Sequence, residues 1–135
     1  VSSEESEKTL FFLSENNTQN TLSENQLLFL KKHHNLRDEE IIKKKIQTRR
    51  LDKILEENNS DNIDFMNLDV EGHELEVLKT INFKKTKLKY ICIEMINHNN
   101  LSIKNSDQIL DLLETNKFEQ LKKFEFNYIF KNKEL

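Results

Sequence analysis

One change of hydropathy period constrains this chain more than any other feature. Ile63, Phe65, Met66, Leu68 and Val70 form a short, nearly continuous apolar run, the pattern of a strand buried on both faces of a parallel sheet. After Gly72 the rhythm becomes helical. Leu75, Leu78 and Ile81 fall at three-residue steps with Val77 beside them, giving one apolar face over roughly two to three helical turns. The turn between the two elements is acidic, Asp69-Val-Glu71-Gly72-His73-Glu74, and holds the only glycine of the chain. Asp69 is therefore expected at the carboxyl end of a strand, where open α/β sheets bind their ligands.

The flanking segments extend this plan. Thr9 to Leu13 reads as a strand within the sheet. Between residues 21 and 45, Leu22 and the run Leu27 to Leu30 allow a short helix, while the surrounding Asn, Lys and His allow a surface insertion. Lys45 to Arg50 alternates as a short strand, and Leu51, Ile54 and Leu55 then supply a helical face with Asp52 near its start. Asn58 to Asn62 is a turn cluster. A second apolar strand, Tyr90 to Ile96, carries Glu94 inside it. The span from Ile63 to Ile96 accommodates a right-handed strand, crossover helix and parallel strand, which needs roughly 30 residues or more. Ser106 or Asp107 can cap a helix that buries Ile109, Leu110, Leu112 and Leu113. Phe118 and Leu121, then Phe124, Phe126, Tyr128 and Phe130 at two-residue spacing, predict an antiparallel edge pair with one aromatic face on the core.

Composition sets the bounds. With 135 residues, 36% hydrophobic and 33% charged, the chain supports one modest domain. Twenty-one basic against 24 acidic residues give a net charge of −3, so bulk electrostatics favour neither nucleic acid nor an anionic membrane as partner. Lys43-Lys44-Lys45 reads as solvated surface. No run approaches the roughly 18 apolar residues of a membrane span, and the first residues lack the basic and apolar regions of a signal peptide. The lone Cys92 excludes an intrachain disulfide; within its apolar run it is expected to be a buried, inert thiol in a reducing, cytoplasmic setting. One glycine and no proline leave no nucleotide cradle of the G-x-G type. The chain begins at Val1 without an initiator methionine and is expected to be part of a longer protein.

Asp69, Glu71, Glu74 and Glu76 form the densest chemical constellation. Glu76 reads as an acid favouring a helix N-terminus, but helix electrostatics give no reason for Asp69 at the end of a strand. A carboxylate buried at Glu94 costs several kcal/mol unless partnered. Two readings follow: a structural pair with a Lys or backbone donors, or convergence with Asp69 and Glu71 on one crevice. In the second, mutual repulsion raises at least one pKa and yields a base near neutral pH. His98, just beyond that strand, is either exposed or a second base. His73 reads as a first-turn surface residue. His33-His34 has no Cys or carboxylate at zinc-ligand spacing, and no G-x-S-x-G elbow supports hydrolase chemistry.

The stretch from Ile63 to Lys79, IDFMNLDVEGHELEVLK, resembles the signature of FkbM-type S-adenosylmethionine-dependent methyltransferases, I-D-F-L-K-I-D-V-E-G-x-E-x-x-V-L-K-G. Arg50-Leu51-Asp52-Lys-Ile-Leu55 is similar to the family's T-L-D-x-L-L element, Tyr90 to Glu94 to its I-x-x-E-I strand, and Asn127 to Phe130 to its N-Y-L-F strand. Asn20-Thr21-Leu22 is weakly similar to its serine- or threonine-rich segment. Asn67, Arg50 and Thr80 depart from the usual Lys, Thr and Gly.

The resemblance implies an α/β fold: part of a class I methyltransferase (Rossmann-like) doubly wound sheet, mostly parallel with a C-terminal antiparallel edge pair. Residues 1–135 then form a single domain, the carboxyl-terminal half to two-thirds of the methyltransferase domain, without its glycine-rich cofactor loop. It implies methyl transfer from S-adenosylmethionine to an oxygen of a small metabolite or glycan in the full-length parent. Asp69 is then the floor of the site beside the methyl group and a cofactor contact, Glu71 the acceptor-orienting group or base, Glu94 a supporting acid and His98 a further candidate. The rival expectation is a truncated or degenerate, non-catalytic α/β module acting through an exposed sheet edge.

Overall fold

The computed structural model describes residues 1–12, 20–35, 37–95 and 105–135. It is a mixed α/β structure with open sheets. The order is β1 (Glu7–Phe12), α1 (Glu24–His34), a 3-10 turn (Asp38–Glu40), β2 (Ile42–Gln47), α2 (Leu51–Glu57), β3 (Asn62–Leu68), α3 (Glu74–Leu78), β4 (Lys87–Glu94), α4 (Ser106–Thr115), β5 (Phe118–Phe124) and β6 (Asn127–Asn132).

The main sheet has the order β3-β4-β6-β5. β3 and β4 run parallel, with Ile63 opposite Leu88 and Leu68 opposite Ile93, and α3 lies in the connection between them. β6 pairs antiparallel with β4, and β5 with β6. Among the described residues β3, β4 and β5 therefore run in one direction and β6 alone is reversed. The carboxyl-terminal hairpin β5–β6 forms an antiparallel pair at one edge of the sheet, with β6 against β4 and β5 outermost.

The core forms around β4. Leu88, Ile91 and Ile93 are fully buried against Val77 and Leu78 of α3, Ile109 and Leu113 of α4, and the rings of Phe118 and Phe130. Phe83 meets Phe118 edge to face at 5.8 Å between ring centroids. β3 differs from the expectation of a strand buried on both faces. Met66 and Ile63 are half-buried and Phe65 is 55% exposed, because among the described residues β3 is the sheet's outer strand with β4 as its one neighbour.

Several sequence expectations shift for local reasons. β1 lies outside the main sheet and pairs antiparallel with β2, from Glu7 opposite Gln47 to Phe12 opposite Ile42. β2 therefore begins earlier than the alternation at Lys45 to Arg50 implied, and Lys43 to Lys45 face solvent. Residues 24 to 34 are a helix capped by the Ser23 side chain, and Leu27 and Leu30 bury against Phe11 and Ile41 in a second, smaller core. α4 is preceded by Asn105 in a left-handed conformation with no side-chain cap, in place of Ser106 or Asp107. Leu110 lies on the outer side of α4, 38% exposed. The even spacing of the terminal aromatics is broken by a turn at Glu125-Phe126, leaving Phe124 exposed. Leu121 falls at an irregularity between Gln120 and Lys122 and is 58% exposed. Among the described residues no helix is long and apolar enough to cross a membrane.

This division between core and surface is testable. Ile91→Ala, at a fully buried site, is expected to lower unfolding free energy by about 2–5 kcal/mol. Leu121→Ala is expected to stay within about 0.5 kcal/mol of wild type; urea denaturation of the two variants measures both.

Candidate active site

The site is built on the turn that follows β3. Glu71 has φ 49° and Gly72 φ 95°, so two successive residues occupy left-handed space. That reversal aims α3 back along the sheet and is strained at Glu71, which carries a side chain. Glu74 offsets the strain from within the motif. Its carboxylate, 3% exposed, accepts from the Val70 N–H at 3.2 Å and the Gly72 N–H at 3.1 Å. Glu74 therefore organises the turn. Glu76 stands on the exposed side of α3 and pairs with Lys79 at 3.4 Å.

A second set of contacts reaches the turn from α1. The Thr21 hydroxyl donates to the Glu71 carbonyl at 2.8 Å, and Gln26 Nε2 donates to Glu71 Oε2 at 3.3 Å. A Cβ on Gly72 would meet Ser23 and Gln26 side-chain atoms at 3.5–3.6 Å. These are ordinary contacts, so the requirement for glycine here comes from φ and not from crowding.

Beside this turn opens a cleft of about 370 Å³. Asp69, Val70, Glu71 and His73 form one side; Leu10 of β1, Ile46 of β2 and Leu22 contribute apolar surface, with Asn20 and Val1 completing the lining. Asp69 and Glu71 thus share one cleft. His73 departs from its expected surface position: it is half-buried at the start of α3, and its Nδ1 is buried without a hydrogen-bond partner. Burial is the main cause holding its pKa below the ordinary histidine value, with the Lys8 charge adding to it, so a neutral ring at pH 7 is favoured.

Glu94 approaches from the neighbouring strand. One residue beyond the last β3–β4 pair, Leu68 with Ile93, come Asp69 and Glu94. Burial, then the charges of Asp69, Glu71 and Glu74, push its pKa up to about 7. Among the described residues no Lys or Arg forms an ion pair with it. Glu94 is not part of the cleft lining, but it feels the charge of the acidic turn. Cys92, on the same strand, is buried, and burial followed by the Asp69 charge raises its pKa, as an inert thiol requires. His98 lies outside the described residues.

A model of the methyltransferase FkbM domain matches residues 2–127. The chain belongs to the FkbM methyltransferase family. No curated protein and no solved structure gives a match. The acidic turn of this FkbM domain is the D-V-E-G-x-E core of the motif resemblance, and Glu74, its last acid, is the internal acceptor of the turn's N–H groups. The three departures from the family pattern lie outside the cleft lining. Arg50 donates to both carboxylate oxygens of Asp52 at 3.0 and 2.8 Å and to the Ser3 carbonyl at 3.1 Å. The buried Thr80 hydroxyl donates to the Val77 carbonyl at 2.7 Å, and Asn67 is an exposed residue of β3 opposite Cys92. Sequence reasoning missed His73, Thr21 and Gln26; the threonine of Asn20-Thr-Leu22 was the available signal for the α1 side.

Two outcomes follow for the FkbM domain. The folded state binds a proton at Glu94 more tightly than the unfolded chain, so Glu94's contribution to stability is present below its ordinary value of 4.5 and is lost as pH rises through about 7. Glu94→Gln is thus expected to resemble wild type in urea midpoint at pH 4 and to exceed it at pH 8; an equal offset at both pH values contradicts this. Gly72→Ala is expected to cost about 1–2 kcal/mol through its left-handed φ, read from the same denaturation curves.

Proposed function

We propose that this FkbM domain takes part in methyl transfer from S-adenosylmethionine to an oxygen of a small metabolite or glycan, with the cleft beside the Asp69–Gly72 turn as the reaction site. The observation that carries the reading is the pairing of Asp69 and Glu71 in one cleft at the carboxyl end of β3. Ligand sites of open α/β sheets lie at that end, and about 370 Å³ is within the usual range for small-molecule pockets.

The donor set fits the cofactor's chemistry. When bound, S-adenosylmethionine supplies an electrophilic methyl group on a cationic sulfonium, and two carboxylates opposite apolar surface suit a cation with an apolar body. Asp69 and Glu71 would hold that charge, and Leu10, Leu22 and Ile46 would cover the apolar part. Glu71 orients the acceptor hydroxyl and takes its proton as bonding proceeds. Glu94, whose pKa burial and then the nearby acids push up to about 7, supports the crevice from outside its lining, and the neutral His73 ring offers an uncharged polar contact.

The open edge of β3, with Phe65 exposed there, supports the fuller doubly wound sheet: further parallel strands would add along β3. The glycine-rich cofactor loop belongs with those strands, since Gly72 is the one glycine in this chain and stands in the acceptor-side turn. The same open edge favours a second reading, a non-catalytic α/β module that associates through β3.

In the full-length protein, Asp69→Asn is expected to lower turnover at least about 100-fold, measured as S-adenosylhomocysteine release with a panel of hydroxylated metabolites and glycans. Near-normal turnover of the variant would overturn the assignment of Asp69. No saturable binding of S-adenosylmethionine by the full-length protein in isothermal titration would favour the association module.

A further inference from the structure

We infer that Thr21 and Gln26, at the entrance to α1, are positioning residues that hold Glu71 at the cleft. This rests on the reading of the cleft as the methyl-transfer site and adds to it a part of the chain outside the acidic motif. Glu71 is held at both its polar ends by one short segment: Thr21 Oγ1 takes its carbonyl at 2.8 Å and Gln26 Nε2 takes its carboxylate at 3.3 Å.

The segment is itself fixed. Thr21 is 1% exposed, and its backbone exchanges hydrogen bonds with Phe11 of β1, N–H to carbonyl in both directions at 2.9 and 3.2 Å. Its hydroxyl oxygen also accepts from the Ser23 N–H at 2.9 Å, and Ser23 Oγ accepts from the Gln26 N–H at 3.2 Å. A chain of bonds therefore runs from β1 through the helix cap to the Glu71 carboxylate. A Cβ on Gly72 would reach van der Waals contact with Ser23 and Gln26, so the turn faces the start of α1. Asn20 and Leu22, on either side of Thr21, line the cleft with Glu71, so the segment is both the support of the acid and part of the wall around it.

The chemistry of Gln26 suits this role. An amide N–H donor stays neutral across the working pH range, so it can orient a carboxylate without the ion pair that a lysine would form there. A left-handed, non-glycine residue persists only where its surroundings over-determine it. Here the bonds from Thr21 and Gln26 supply that determination from outside the turn, as Glu74 does from inside.

NMR of the isotope-labelled full-length protein tests the assignment in two steps. The Gln26 side-chain amide protons are expected to shift as the carboxylates titrate in wild type and to lose that response in Glu71→Gln; a response that is flat in wild type, or unchanged in Glu71→Gln, overturns the assignment. The second step exchanges the partners. Gln26→Glu alone is expected to lower the urea midpoint at pH 8 and not at pH 3, by setting two carboxylates together. Adding Glu71→Gln rebuilds the bond and restores the midpoint, but leaves the carboxylate on α1. With S-adenosylmethionine as probe, amide shift changes at Asp69 to His73 in wild type are expected to be lost in this exchanged variant. Their full recovery there would reduce Thr21 and Gln26 to structural residues and overturn the inference. A wild-type full-length protein without any such changes contradicts the proposed function, and the titration of the Gln26 amide then decides the Gln26–Glu71 contact independently.

Discussion

The buried carboxylate of Glu74 is the interaction on which the site depends. Two left-handed residues in succession leave the N–H groups of the Asp69–Gly72 turn without a regular partner, and an unpaired buried N–H costs about as much as a lost hydrogen bond. Glu74 accepts from two of them, at Val70 and Gly72. The acid thus serves the backbone, and Asp69 and Glu71 are left to line the cleft. One carboxylate spent on geometry allows two others to be placed for chemistry.

The turn also joins the two parts of the fold. On one side it continues β3 into α3, whose Leu75, Val77 and Leu78 pack into the main core. On the other it rests on the entrance to α1, whose Leu27 and Leu30 pack with Phe11 and Ile41. The cleft lies between the turn and the β1–β2 pair, so its shape depends on both cores. Burial, and after it the charges of Asp69, Glu71 and Glu74, raise the proton affinity of a fourth acid, Glu94, pushing its pKa up to about 7.

Much of this was legible in the residues. The change from an apolar run to helical spacing at Asp69 marked the strand, the turn and the start of the helix, but α3 ends at Leu78, short of the two to three turns that Ile81 implied. The family signature fixed the activity class. The burial of β3 was misread because an apolar run reports the capacity to be covered, and β3 has one neighbouring strand in this sheet. β1 was misplaced because a strand's pairing partner, here β2, is a long-range property that local alternation does not encode. At the site, Asp69, Glu71 and Glu94 could be read as acids near strand ends, but the separation of roles between Glu71 and Glu74 could not. It depends on which carboxylate bends inward to the backbone. Gln26 and Thr21 were invisible for a related reason: they lie 45 and 50 residues away from Glu71 in sequence, and only the docking of α1 brings them to it.

The central claim is that the acidic turn is a rigid, internally bonded element. Native-state hydrogen exchange at the Val70 and Gly72 amides tests it most directly. Both are expected to be protected to a degree comparable with the buried strand β4, despite their position in a turn, and to lose that protection in Glu74→Ala. Exchange in wild type at the rate of an open, solvated turn would contradict the account.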